Sequence, residues 1–143
     1  MEQKLKDKVV VITGTTSGIG AGMAKLFAAH GAKVVGSGRR QEKGEAVVKE
    51  IIDNGGEATF VRTDVLDQEQ LQNLIDTAVN KYGRIDILVN NAAYEPTKVF
   101  AENTYDDYRK VIDTNLGSYI MASIYALKYM REQICSMVLL IKR

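Results

Sequence analysis

A chain of 143 residues is of single-domain size, and its 19 Lys and Arg against 18 Asp and Glu leave a formal charge of +1. That balance creates no field to gather nucleic acid or an anionic membrane, and a 45% hydrophobic content with one Pro excludes a disordered chain. A lone cysteine, Cys135, excludes an internal disulfide and fits a reducing cytoplasm. The charged start MEQKLKDK lacks the apolar core of a secretory signal, and the longest weakly polar stretch, LGSYIMASIYAL, is too short to span a bilayer.

Strand-length apolar runs alternate with helix-period segments along the chain. Residues 9–12 are continuously apolar, as in a strand covered on both faces. Next, Ile19, Met23, Leu26 and Phe27 recur at i, i+4, i+7 and i+8. This predicts a helix that buries that face and closes at Gly31, a C′ glycine. His30 beside it reads as a helix-end residue near exposed carbonyls. KVVGS predicts a second strand. Val47, Val48 and Ile51 line a second helix that breaks at Asn54-Gly55-Gly56.

ATFVR reads as strand three. Asp67 is expected to cap a helix whose Leu71, Leu74, Ile75, Ala78, Val79 and Tyr82 share a face. RIDILVN is strand four, Thr104 caps a short helix, and a long helix runs from about Leu116 to Arg131. The tail SMVLLI reads as strand five. Repeated β-α-β units with short connections predict an α/β fold within one domain, residues 1–143. It is a doubly wound, Rossmann-like parallel sheet of about five strands. In the long helix Leu116, Tyr119, Ile120, Met121, Ile124, Tyr125, Leu127 and Met130 point nearly all round. A helix apolar on every side is buried on more than one, so part of this one is expected to face another chain.

Between strand one and helix one lies TGTTSGIG, residues 13–20. At such a junction Gly14 permits the sharp reversal, Gly18 lets backbone approach a phosphate, and Gly20 allows close helix–strand packing. The helix N-terminus behind them offers free N–H groups and partial positive charge to a pyrophosphate. The spacing is G-x-x-x-G-x-G, and no Gly-Lys-Ser/Thr follows as in a P-loop. An ordinary tight turn would also use glycine; the position directly after the first strand of an alternating pattern favours nucleotide binding.

Four motifs in chain order resemble the short-chain dehydrogenase/reductase family over residues 7–138: TGTTSGIG, Asp64-Val65 after strand three, NNAA after strand four, and IDTNLGSY at 112–119. The resemblance implies an NAD(P)-binding Rossmann fold. In it Gly14, Thr15, Thr16, Ser17, Gly18, Ile19 and Gly20 line the pyrophosphate, Asp64 and Val65 flank the adenine, and Asn91 and Ala92 lie near the ribose. Ala93 stands where the family usually has Gly, a change confined to loop geometry.

An acid at the end of strand two would bind the adenosine ribose 2′-OH and repel a 2′-phosphate. The position the family uses for that acid holds Gly38, followed by Arg39 and Arg40. A guanidinium holds phosphate bidentately, and a hydrogen bond to a charged group contributes about 1.5–3 kcal/mol. The expectation is NADP(H) over NAD(H) through Arg39; a solvated-loop role suits Arg40 better than Arg39.

Members of the family move hydride between a nicotinamide and a carbonyl or alcohol. A Tyr-x-x-x-Lys pair on a later helix supplies the proton, a Ser orients the substrate oxygen, and an Asn holds a relay water. A free Tyr titrates at about 10, so the Lys is needed to bring proton transfer towards neutrality. Asn115 matches the Asn. Counted without gaps from Ser136-Met137-Val138, the Ser position falls at Lys142, with the Tyr and Lys positions beyond it. YEPTK, residues 94–98, has the spacing, but it contains Pro96 and follows strand four directly, where no helix would set i and i+4 on one face. No second His or Cys accompanies His30 or Cys135, so no metal site is expected. Cys135 itself reads as buried, or reactive if that end is open.

The chain is therefore expected to be a family member truncated before its Tyr-x-x-x-Lys, by a frame change or a cut near Leu139. Such a form would bind NADP(H) with little or no turnover. One alternative is a non-catalytic nucleotide-binding or interaction module that assembles through the long helix and strand five. Another is an enzyme completed by residues of a second chain. An uncovered apolar helix and an unpaired strand edge both favour association, so a homo-oligomer is expected.

Overall fold

The structure, a computed structural model, describes the backbone over residues 3–141 and side chains as far as residue 133. The side chain of Cys135 and the Lys142 position lie outside the described residues. Four strands, β1 (Val9–Ile12), β2 (Lys33–Gly38), β3 (Glu57–Arg62) and β4 (Ile87–Val89), form one parallel sheet in the order β3-β2-β1-β4. Val10 pairs with Val34 on one side and Ile87 on the other. The helices are α1 (Gly18–Ala29), α2 (Gln41–Asp53), α3 (Gln68–Tyr82), α4 (Tyr105–Ile112) and α5 (Ser118–Ile141).

Alternation along β1 splits the core into two layers. Val9 and Val11 pack with Leu71, Leu74 and Ile75 of α3 and Ala122 and Ala126 of α5. Val10 and Ile12 pack with Ala24 and Ala28 of α1 and Ile51 of α2. A sheet buried on both faces needs apolar residues at consecutive positions, which is why VVVI does not alternate. This is the doubly wound, Rossmann-like arrangement anticipated above. The chain winds outward through β2 and β3, then returns to the far side of β1 as β4. The reversal opens a crevice at the carboxyl ends of the strands.

Several local expectations are met. Asp67 accepts from the backbone N–H of Glu69 and Gln70, and Gly83 closes α3 at φ 77°. Thr104 and Asp107 form a reciprocal capping box on α4. His30 is the C-cap of α1, and Gly31 follows at φ 88°.

Three are corrected. Of the expected α1 face Met23 and Phe27 do pack, partly buried, against the core, but Ile19 and Leu26 are exposed and the fully buried residues are Gly20, Ala21, Ala24 and Ala28. Small residues let the helix lie close to the sheet, and that closeness outweighs burying the larger side chains. Next, residues 136–141 belong to α5 and form no fifth strand. No Gly or Pro interrupts REQICSMVLLI, so nothing stops the helix there. Finally, the long helix does not begin as a plain α-helix near Leu116: α4 passes into α5 through a π-helical segment, Asp113–Gly117.

Side-chain ties hold α5 in place. Tyr129 Oη donates to Asp76 Oδ1 (2.7 Å), and Gln133 brackets the backbone of Ile85, donating to its carbonyl (3.0 Å) and accepting from its N–H (3.1 Å). No helix among the described residues is long and apolar enough to cross a membrane.

Candidate functional site

The turn after β1 is shaped by backbone geometry that only glycine adopts cheaply: Gly14 has φ 77° and Gly18 φ 57°. Behind it α1 begins without a side-chain cap. Its N-cap residue Ser17 makes no capping hydrogen bond, and no acidic residue stands in the first turn. First-turn N–H groups have no partner within their own helix, and here no capping side chain supplies one.

The turn is stitched to β4. Thr13 is buried, and its Oγ1 accepts from the backbone N–H of both Asn91 and Ala92 (3.0 Å each). Asn91 Nδ2 donates to the carbonyls of Thr13 (2.9 Å) and Gly14 (3.1 Å). The Asn91 side chain thus fixes the turn through its amide. Thr15 faces inward and donates to the Ser37 carbonyl at 3.4 Å.

A cavity of about 380 Å³ opens over the ends of all four strands. Gly14, Thr16 and Ser17 line it from the β1 turn, Gly38, Arg39 and Arg40 from the end of β2, residues 63–66 from β3 and residues 91–94 from β4. The structure therefore gathers Gly14, Thr16, Ser17, Arg39, Asp64, Val65, Asn91 and Ala92 around one space. Thr15, Gly18, Ile19 and Gly20 form the turn and helix start beneath it. Asp64 shapes its own loop, its Oδ1 accepting from Leu66 N at 3.1 Å.

The rim is cationic. Arg40 Nη2 donates to Thr16 Oγ1 and Ser17 Oγ, both at 2.8 Å, so Arg40 reaches back to the glycine turn. Arg39 is exposed on the cavity wall, and its carbonyl accepts from Arg62 Nε (3.4 Å). On the side of α4, Lys110 Nζ lies 4.2 Å from the ring centroid of Tyr94, and both residues line the cavity.

Asn115 sits in the π-helical segment. Its Oδ1 accepts from Tyr94 N (2.8 Å) and its Nδ2 donates to Tyr94 O (2.9 Å), so it clamps the loop after β4. YEPTK is non-helical. Lys98 is engaged elsewhere, with Nζ 2.7 Å from Asp107 Oδ2. That contact, together with the Thr104 backbone and hydroxyl donors, holds the Asp107 carboxyl down at about 2. Among the described residues no cluster of three His, Cys, Asp or Glu is placed to hold a metal.

Thr13, Arg40, Tyr94 and Lys110 have geometric roles that pattern reading did not assign. The partners of Thr13 lie 78 and 79 residues away, beyond any local signal. Lys110 carried a faint one, since it stands one helical turn before Thr114 in the IDTNLGSY region.

A parallel doubly wound sheet with a glycine-rich first βα turn defines the Rossmann-like α/β class. The profile of the short chain dehydrogenase family matches residues 8–142, and the chain belongs to this family, whose members use NAD(P) cofactors. An uncharacterised oxidoreductase of Staphylococcus saprophyticus is 37% identical over 129 residues, covering 90% of this chain and 52% of that protein. One from Listeria monocytogenes is 40% identical over 112 residues, covering 78% and 45%. The crystal structure of a hydroxysteroid dehydrogenase from Escherichia coli superposes with a TM-score of 0.87 at 35% identity, covering 92% of this chain and 55% of that one. The chain spans about half the length of the curated relatives it matches.

Proposed function

We propose that these residues form one NADP(H)-binding domain of a family oxidoreductase, with little or no hydride-transfer turnover of its own. The observation that carries this reading is the uncapped N-terminus of α1 beneath a cavity bordered by Arg39 and Arg40. The α1 amides and the turn of Gly14, Thr15, Thr16, Ser17, Gly18, Ile19 and Gly20 receive the diphosphate. Asp64 and Val65 flank the adenine, Asn91 and Ala92 stand by the ribose, and the arginines hold the 2′-phosphate.

When bound, the nicotinamide supplies the hydride acceptor or donor for an alcohol or carbonyl. The chain's own part is to fix the nucleotide, and Asn115 to hold the loop that borders it. Proton transfer is the weak point. Tyr94 and Lys98 have the family's spacing but share no helical face, and Lys98 is tied to Asp107. Loss of general acid catalysis alone lowers a rate by about 10²–10⁴-fold. Titration of the purified chain with NADPH and NADH tests the binding claim; the expected result is saturable binding of both, tighter for NADPH. Binding of neither would end it. Turnover of ketones or alcohols by the purified chain would contradict the catalytic half.

A second reading concerns association. Leu116, Ile120, Ile124 and Leu127 are 52%, 50%, 45% and 48% exposed and recur along one side of the α5 region. The order Leu-Ile-Ile-Leu reads the same from both ends. Two antiparallel copies would set Leu116 against Leu127 and Ile120 against Ile124, with Asp113 opposite Arg131. We infer a homo-oligomer built on this stripe, because the palindromic order of its side chains and the flanking charges fit a second copy. The strand-five route to assembly has no strand to use.

A further inference from the structure

We propose that Lys110 and Tyr94 form a clamp for the purine ring of the nucleotide, with the Lys110 ammonium held between the Tyr94 ring and the bound base. This rests on the nucleotide-binding reading above and assigns a contact to two residues that it leaves without one. The ammonium already lies 4.2 Å from the Tyr94 centroid, within the range of a cation–π contact. Both residues line the cavity together with Asp64, Val65 and Thr114.

Val65 packs in the same core as Ala122 and Ala126. The loop after β3 and the α4 side chain of Lys110 border the same cavity. A flat aromatic base admitted between them would meet the ammonium with its π face. Arg39 and Arg40 follow β2, whereas Tyr94 follows β4, with β1 between them. The arginines thus enter from the β2 side and Lys110 from α4, and Lys110 is assigned to the base rather than to the 2′-phosphate.

The clamp is anchored at both ends. Asn115 pins the Tyr94 backbone through two hydrogen bonds of 2.8 and 2.9 Å. Lys110 lies on α4, whose first turn is fixed by the capping box and by the Lys98–Asp107 pair. An anchored cation over an anchored ring has little motion left to lose when a base arrives, which favours binding.

Calorimetric titration of the full chain with NADPH, NADH, 5′-AMP and nicotinamide mononucleotide tests this, using Lys110→Met, Lys110→Arg, Tyr94→Leu and the Lys110→Met/Tyr94→Leu double variant, each checked for native circular dichroism. Lys110→Met should weaken NADPH, NADH and 5′-AMP by a common factor of about 2- to 30-fold, the range a cation–π contact supports. Lys110→Arg should restore binding, and nicotinamide mononucleotide should be indifferent. The double variant should lose less than the product of the single losses. If wild type binds no adenine nucleotide, the nucleotide reading itself falls. If wild type binds and Lys110→Met is unchanged, or loses NADPH alone, the clamp falls and that reading stands.

Discussion

Gly20 lies directly against Gly14: a Cβ on Gly20 would fall 2.1 Å from the Gly14 carbonyl oxygen and 2.6 Å from Asn91 Nδ2. Both neighbours belong to the stitched turn, so neither can yield without moving it. Gly20→Ala should therefore lower stability by about 1–3 kcal/mol and weaken nucleotide binding. Gly22→Ala on the same helix is the control. Nothing lies within 4 Å of a Cβ there, and removing a helical glycine should raise stability by about 0.5–1 kcal/mol. Urea unfolding of the two variants decides; equal effects would mean that the turn has slack.

Arg39 and Arg40 should separate in a nucleotide titration. Arg39→Ala should lower the NADPH-to-NADH affinity ratio by about 10-fold or more, as expected for a lost hydrogen bond to a charged group. Arg40 also bonds Thr16 and Ser17. Arg40→Ala should therefore weaken both dinucleotides, through the slackened turn, as well as lowering the ratio. A ratio unchanged in both variants would dismiss the 2′-phosphate assignment.

The layered α/β plan was legible because its signals are local. Continuous apolar strands, the caps at Asp67 and Thr104 and the glycine turn each lie within one short stretch. What sequence could not show depends on distance. The α1 helix carries an evident large-apolar stripe at Ile19, Met23, Leu26 and Phe27, yet only Met23 and Phe27 reach the core, and the fully buried contact is made by Gly20, Ala24 and Ala28. Only the closeness demanded by Gly14 reveals why. SMVLLI has strand composition, but composition does not end a helix, and no breaker precedes it. At the site, the glycines and Asp64-Val65 were readable as motif, whereas Arg40 to Thr16 and Lys110 to Tyr94 are contacts between separate elements. Period and composition carry no information about such pairs.

Tyr82 should shape the alkaline limb of stability. Burial first, then the Glu57 carboxylate, pushes its phenol up to about 12. The folded state therefore favours the neutral phenol. That contribution is complete below the unfolded value of about 10 and is lost as pH rises towards 12. Urea midpoints between pH 9 and 11.5 should fall more steeply for wild type than for Tyr82→Phe. Parallel curves would show that the phenol does not feel the fold.

Asp107 acts at the opposite extreme. Its carboxyl is held at about 2 by Lys98 and Thr104, so its contribution is present above pH 4 and fades as pH falls from about 4 to 2. Hydrogen exchange at the α4 N-terminus should quicken in that window, and Lys98→Met should shift its onset upward. The same variant should weaken NADPH only slightly, since Lys98 steadies the helix that carries Lys110 without lining the cavity itself. A large loss of nucleotide binding in Lys98→Met would reopen YEPTK as a functional pair.

The stripe on α5 makes the sharpest prediction about assembly. Ala122 and Ala126 face the core, so Ile120 and Ile124 can be changed without disturbing the packing of α5 on α3. In an antiparallel pair Ile120→Glu and Ile124→Glu each press a carboxylate against an isoleucine of the second copy, where it loses its water without gaining a partner. Each should shift the chain towards monomer in sedimentation velocity while leaving the circular dichroism spectrum and nucleotide affinity intact. Asp113→Arg should weaken the pair by setting like charges against Arg131, and Asp113→Arg combined with Arg131→Asp should restore it. Failure of that exchange, with Ile120→Glu still monomeric, would keep the stripe as the interface but discard the antiparallel register. A wild-type monomer at high concentration would discard both.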